Sequence, residues 1–141
     1  MKKYLALILA LVCMGFVFAG CAEDADASKE PAFQETAVEN VSIKISDVSP
    51  TGATVVIKDT NEQPYLYGSW YKIEKKDNGS WVEVDTVIED FAFDLVGYMP
   101  DSNGELKFEI DWKWLYGELP SGNYRLVKQA NSQEIFVEFS L

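Results

Sequence analysis

From residue 41 onward, apolar and polar residues alternate with a period of two, which is the period of side chains along a β-strand. The alternation is clearest in segments 41–46, 53–58, 106–112 and 135–139. It indicates strands with one face buried and one face in contact with solvent. No segment has the spacing of a long amphipathic helix, so the sequence predicts an all-β fold.

Turn sequences divide this region into about seven strands. Asn78-Gly79 is the clearest turn, because both residues tolerate the positive φ angles of a tight hairpin. A second turn is predicted at 101–104 and one helical turn at 114–117, whereas 88–100 has no clear pattern. The predicted strands are about 41–46, 53–58, 65–75, 81–87, 106–112, 122–129 and 134–139. Short strands at this spacing favour an antiparallel β-sandwich or a small barrel.

One tyrosine favours the sandwich. Tyr124 lies in the sequence Gly122-Asn123-Tyr124, at the start of the penultimate predicted strand. Immunoglobulin-like domains often have a tyrosine at this corner, and its hydroxyl bonds back to the backbone a few residues upstream. The domain has no cysteine pair, so it must be stable without a disulfide.

The first 20 residues have the composition of a secretory leader. Two lysines precede a nearly pure apolar stretch, Leu5 to Ala19, of about 15 residues, which is shorter than the roughly 20 needed to cross a bilayer. The following run, Phe18-Ala19-Gly20-Cys21, resembles the lipobox of bacterial lipoproteins. That resemblance implies cleavage before Cys21 and lipid attachment to its thiol. An ordinary signal peptide and an uncleaved anchor are the alternatives.

The chain is therefore predicted to have three parts: a lipoprotein signal peptide at 1–20, a lipidated Cys21 with a flexible acidic tether to residue 39, and a folded domain at 40–141. The tether has six acidic residues and a single lysine, so few of its groups can offset the entropy of ordering. This organisation predicts a protein held by lipid on the extracytoplasmic face of the cell membrane.

Charge and composition argue against several function classes. The net charge of −11 becomes −13 once the two leading lysines leave with the signal peptide, which argues against nucleic-acid binding and basic-patch binding to lipid. The chain has no histidine, and neither of its two cysteines lies in the folded domain. Histidine-based catalysis, cysteine nucleophiles and zinc sites are therefore disfavoured, and we expect no enzyme activity, metal or cofactor.

Acidic pairs do not change that expectation. Glu109 and Asp111 share one face of a predicted strand, which we interpret as solvated. The sequence Asp101-Ser102-Asn103-Gly104 matches the start of a calcium loop, but the later ligands do not follow, so we interpret it as a turn.

Aromatic side chains are the remaining functional lead. In the predicted strand 65–75, Trp70 lies on the face opposite Tyr71 and Ile73, and it is exposed if those two face the core. Trp70 and Trp114 are the predicted interaction residues, because exposed aromatic rings mark protein contacts or sugar platforms. The sequence thus leaves two functions open: a non-catalytic module for a protein or envelope partner, or a carbohydrate or small-ligand binding module.

Several motifs in series resemble a bacterial Ig-like domain family. They are Tyr67–Glu74 (YGSWYKIE), Trp81–Val84 (WVEV), Trp112 with Leu115-Tyr116-Gly117, and Leu119–Lys128 (LPSGNYRLVK). The resemblance covers roughly residues 41–141. It implies an immunoglobulin-like sandwich outside the membrane, as in lipoproteins of Gram-positive bacteria, and it assigns no catalytic residue.

Overall fold

Residues 31–141, which the computed structural model describes, form two packed antiparallel sheets. The strands are β1 (Gln34–Glu35), β2 (Val41–Ser49), β3 (Gly52–Asp59), β4 (Tyr67–Gly68), β5 (Lys72–Asp77), β6 (Ser80–Glu83), β7 (Gly97–Tyr98), β8 (Glu105–Asp111), β9 (Asn123–Ala130) and β10 (Gln133–Ser140). One helical turn, α1 (Lys113–Tyr116), lies between β8 and β9. The predicted all-β sandwich is confirmed, and seven of the ten strands in this part of the chain have four or more residues.

The two sheets have the orders β1-β2-β3-β8 and β10-β9-β5-β6, and β4 pairs with β7 beside them. Alternation sets the register: Val55 lies opposite Ile45 on one side and Phe108 on the other. The inward faces bury Ile73 and Leu126 completely. Strand β10 packs against β2, so the sandwich is closed along that side.

The two predicted turns are confirmed. Asn78 and Gly79 have φ angles of 46° and 84°, and they join β5 to β6 as a tight hairpin. The side chain of Asp101 accepts hydrogen bonds from the backbone N–H groups of Asn103 (2.8 Å) and Glu105 (3.0 Å), so it organises a turn.

The prediction of one continuous strand over 65–75 was wrong. The strand is interrupted at 69–71, between β4 and β5. The cause is Lys128, a fully buried residue of β9 whose ammonium donates hydrogen bonds to the carbonyls of Gly68 (3.0 Å) and Trp70 (3.1 Å). A lysine at an inward position needs such acceptors, because an unpartnered buried cation is strongly unfavourable. The predicted strand 81–87 is also shorter, ending at Glu83.

The folded domain begins earlier than the predicted boundary at residue 40. Gln34 and Glu35 pair with Ile43 and Ser42 of β2, and Val38 is buried. The end of the predicted tether is therefore an edge strand of the first sheet. The predicted signal peptide, Cys21 and the rest of the tether lie outside the described residues. Within 31–141, no helix is long and apolar enough to cross a membrane.

Candidate functional site

Most aromatic residues near the Tyr124 corner belong to the core. Trp112 stacks on Phe139 (ring centroids 5.4 Å apart, 25° between planes), and Phe139 stacks on Tyr124 (5.5 Å, 20°). The Trp112 indole N–H donates to the Pro50 carbonyl at 2.9 Å. The Tyr124 hydroxyl donates to the Pro120 carbonyl at 2.7 Å, which confirms the predicted tyrosine corner. We refer to Trp112, Phe139 and Tyr124 as the Trp112 stack.

A second group of aromatic rings reaches the surface around Trp114. Trp114 is 43% exposed, and its ring meets Phe91 and Phe93 edge-on at centroid distances of 6.2 and 5.9 Å. Phe93 also packs edge-on against the buried Tyr71 at 5.2 Å. We call Tyr71, Phe91, Phe93 and Trp114 the Trp114 cluster. Tyr71 is its one buried member and Phe93 is partly buried, so these two anchor the exposed rings of Phe91 and Trp114 to the core.

The helical turn α1 directs Trp114 outward. At the start of the turn, the Lys113 N–H donates to the Asp111 carboxylate at 2.9 Å and to the Thr51 carbonyl at 3.2 Å. Leu115 and Tyr116 then point into the core, while Trp114 faces solvent. The Leu115 carbonyl accepts from the Val87 N–H at 2.8 Å and thereby holds the start of the irregular segment beside the turn.

A cleft of about 440 Å³ lies between the Trp114 cluster and β8. The β8 wall is formed by residues 108–111, and Ser69 and Asp94 close one end. The Ser69 hydroxyl donates to the Asp94 carboxylate, which also accepts from the Val96 N–H at 3.3 Å. Three carboxylates line the cleft, those of Asp94, Glu109 and Asp111, and no lysine or arginine does so among residues 31–141. The cleft is therefore aromatic on one side and acidic at its rim.

The segment 87–99 carries most of the exposed apolar surface of the described chain. Residues 31–141 have eleven large hydrophobic side chains that are exposed, and seven of them lie in this segment: Val87, Ile88, Phe91, Leu95, Val96, Tyr98 and Met99. Such a concentration of apolar side chains on one irregular segment is typical of an interaction surface. The segment is held at both ends: the Val87 N–H bonds to the Leu115 carbonyl of α1, and β7 pairs with β4.

The structure places the two predicted interaction residues in neighbouring clefts. Trp114 lines the cleft beside β8. Trp70 is half-buried and lines a cleft of about 300 Å³ with Leu66 and Leu95. Ser69 and Asp94 line both clefts and connect them. Tyr71 and Ile73 are buried as predicted, but Trp70 is not opposite them on one strand, because the strand is interrupted there.

Sequence reasoning missed two aromatic residues of this site, Phe91 and Phe93. They lie in the segment that showed no periodicity, and they belong to no strand. The available signal was compositional, since 87–99 is rich in large apolar residues despite its lack of pattern.

A buried cation lies behind the β8 wall. The Lys128 ammonium is 3.9 Å from the centroid of the Phe108 ring, and Tyr98 packs edge-on against that ring at 5.6 Å. Burial lowers the pKa of Lys128 to about 8, while its two carbonyl acceptors and the aromatic ring favour the charged form. Lys128 thus braces the interrupted strand from the interior and does not line the cleft.

Two acidic residues, Asp59 and Glu74, are buried and are paired with groups within the domain. Asp59 accepts hydrogen bonds from the Tyr65 N–H (2.8 Å) and the Tyr67 hydroxyl (2.8 Å). Burial alone would raise the pKa of Asp59, but these bonds and those from Asn61 lower it below its ordinary value. Glu74 is paired with Arg125 and with Lys72 (3.2 Å). Because their oxygens are occupied within the fold, neither residue points to a ligand.

The sequence model of a family described as bacterial Ig-like domain matches residues 35–140 of this chain. That range begins within β1 and ends with β10, so it spans nearly the whole described sandwich. Neither the curated proteins nor the solved structures contain a significant match to this chain.

Proposed function

Since this chain belongs to the bacterial Ig-like domain family, we propose that it is a lipid-anchored binding protein on the extracytoplasmic face of the cell membrane. The anchor is an acylated Cys21. The Ig-like domain is a non-catalytic module that holds a protein or envelope partner through the Trp114 cluster. The observation that carries this proposal is the exposure of Trp114 beside a cleft and an apolar surface segment.

The N-terminal sequence supports the lipid anchor. A basic start, a short apolar stretch and the run Phe18-Ala19-Gly20-Cys21 are arranged as in bacterial lipoproteins. A single short acyl chain gives only reversible membrane binding, whereas two chains on one residue give stable attachment. Residues 22–33 then separate the lipid from β1, so the domain can face a partner without lying on the bilayer.

The chain offers a matched control for the anchor. In cells fed an alkyne-bearing fatty acid, the wild type and Cys13→Ser should both be labelled, whereas Cys21→Ser should lose the label and its membrane association. Label on Cys21→Ser, or an unmodified Cys21 thiol in the native protein by mass spectrometry, would contradict the anchor.

The surface chemistry supports binding rather than catalysis. The cleft beside β8 has no histidine or cysteine, because the chain has no histidine and neither cysteine lies among 31–141. Its carboxylates are held in place but stay accessible: Asp111 accepts from the Lys113 N–H, Asp94 accepts from Ser69, and Glu109 pairs with Lys107 at 2.7 Å while both side chains remain more than half exposed. A site that presents aromatic rings and exposed carboxylates without a histidine or cysteine is suited to holding a partner.

Photocrosslinking in intact cells tests the binding surface. A benzoylphenylalanine at position 114 should form adducts with the partner, whereas the same group at position 82 should not. Val82 is a suitable control because it is also an exposed apolar residue but lies on the edge strand β6. Equal yields at the two positions, or adducts only at position 82, would contradict the proposal.

Carbohydrate binding is the second candidate, favoured by the presence of three carboxylates beside aromatic rings. Sugar rings stack best on aromatic faces presented as a flat platform, but the rings of the Trp114 cluster meet at angles between 66° and 89°. This geometry favours a protein partner. Adducts at position 114 that contain only glycan would reverse that preference.

A further inference from the structure

Strand β8 is an open edge of its sheet. It pairs with β3 on one side, and within 31–141 no strand pairs with it on the other. Among these residues, the outward backbone groups of 106–110 have no hydrogen-bond partner from a turn or loop. At the end of the strand, the Tyr71 hydroxyl donates to the Asp111 carbonyl at 3.3 Å. An unpaired edge of this kind is a template on which an extended peptide can add a strand.

The other edges of the described sandwich are less suitable. Strand β10 packs against β2, β6 has four residues and β1 has two. Strand β8 has seven residues, and the cleft of about 440 Å³ runs beside its residues 108–111. Space for an added strand is therefore present beside residues 108–111 of β8.

The side chains of β8 define what an added strand must carry. Phe108 and Ile110 lie on the inward face, whereas Lys107, Glu109 and Asp111 lie on the outward face and are exposed. Lys107 pairs with Glu109 at 2.7 Å but does not line the cleft, so the outward charges of the cleft itself are those of Glu109 and Asp111. Side chains of neighbouring strands interact directly. A matching peptide therefore has apolar residues beside Phe108 and Ile110 and basic residues beside Glu109 and Asp111. The net charge of −11 and the absence of lysine and arginine among the described cleft residues add long-range attraction for a basic peptide.

We propose that the cleft binds an extended peptide segment in which basic and apolar residues alternate, added as a strand to the edge of β8. The apolar side chains face Phe108 and the Trp114 cluster, and the basic side chains face Glu109 and Asp111. This inference rests on the proposed binding function and specifies its partner as a basic polypeptide strand.

A synthetic hexapeptide of alternating lysine and valine, blocked at both ends, tests the inference with the purified full-length chain. Calorimetry should show binding, and hydrogen exchange should slow at the amides of 106–110. The matched glutamate–valine peptide should bind at least about tenfold more weakly, because the carboxylates of Glu109 and Asp111 repel its negative charges. The lysine–valine peptide with alternate N-methyl groups should not bind, since it cannot form the ladder.

Two variants on the same strand sharpen the test. Glu109→Gln should lower the affinity for the lysine–valine peptide about two- to fivefold. Glu105→Gln should leave this affinity unchanged, because Glu105 pairs with Lys58 and does not line the cleft. No binding, equal binding of the glutamate peptide or the N-methylated peptide, or protection outside β8 would overturn the inference. The proposed function fails separately, if position 114 captures no partner in cells.

Discussion

Trp112 and Trp114 are two residues apart, and they have opposite environments. Trp112 is fully buried, and Trp114 is 43% exposed. On a continued strand both side chains would lie on the same face. The change from β8 to the helical turn α1 places them on different sides, so the same residue type builds the core at one position and the surface at the other.

The two aromatic groups also pack differently. The rings of the Trp112 stack lie nearly parallel, with 20–25° between planes, and the polar atoms of Trp112 and Tyr124 are bonded to backbone carbonyls. The rings of the Trp114 cluster meet edge-on and lie beside three carboxylates. The first arrangement maximises burial, whereas the second leaves ring surface available to a partner. The difference assigns stability to the first group and is the basis for the binding role proposed for the second.

The largest expected effect comes from truncating the two tryptophans. Trp112→Ala should lower the free energy of unfolding by about 3–5 kcal/mol, because it empties a fully buried site and removes the bond to Pro50. Trp114→Ala should lower it by less than about 1 kcal/mol. Urea unfolding of both variants measures the contrast. Similar losses of unfolding free energy in the two variants would contradict the distinction between a core tryptophan and a surface tryptophan.

A second effect concerns the buried cation behind the β8 wall. The pKa of Lys128 is about 8 in the folded chain, below its ordinary value of 10.5, so between these pH values the unfolded chain binds more protons. Stability contributed by this group therefore rises with pH across that window. From pH 7 to pH 10 the wild type should gain about 2 kcal/mol relative to Lys128→Met.

Chemical unfolding at several pH values measures that difference, and the variant cancels the titration of the other groups. A constant difference between the two proteins would show that the buried ammonium keeps its ordinary pKa. The interior behind the β8 wall would then be better hydrated than the packing of Lys128 against Phe108 indicates.

A third and smaller effect concerns one atom of the Trp112 stack. Tyr124→Phe keeps the ring on Phe139 but removes the hydroxyl that donates to the Pro120 carbonyl. It should lower the free energy of unfolding by about 1 kcal/mol. An unchanged melting midpoint would mean that the stack stabilises this corner without the hydrogen bond.

The regular part of the fold was predictable because burial imposes a period of two on its strands. The pattern gave the faces of Ile135, Val137 and Phe139, all of which are buried, and the turn at Asn78-Gly79. The interruption at 69–71 was not predictable, because it depends on Lys128, which is distant in sequence. Part of the candidate site was missed for a related reason. Phe91 and Phe93 are positioned by contacts with Trp114 and Tyr71, which are distant in sequence, and their own segment has no alternating pattern.

Hydrogen exchange of the unliganded full-length chain tests the contrast between the two regions most directly. The account predicts that amides of β9 and β10 around the Trp112 stack exchange only through global unfolding, while amides of 87–96 exchange at least a hundredfold faster through local opening, as about 3 kcal/mol of differential stability implies. Equal protection in both regions would contradict the account, because the Trp114 side would then be as much a part of the core as the Trp112 stack.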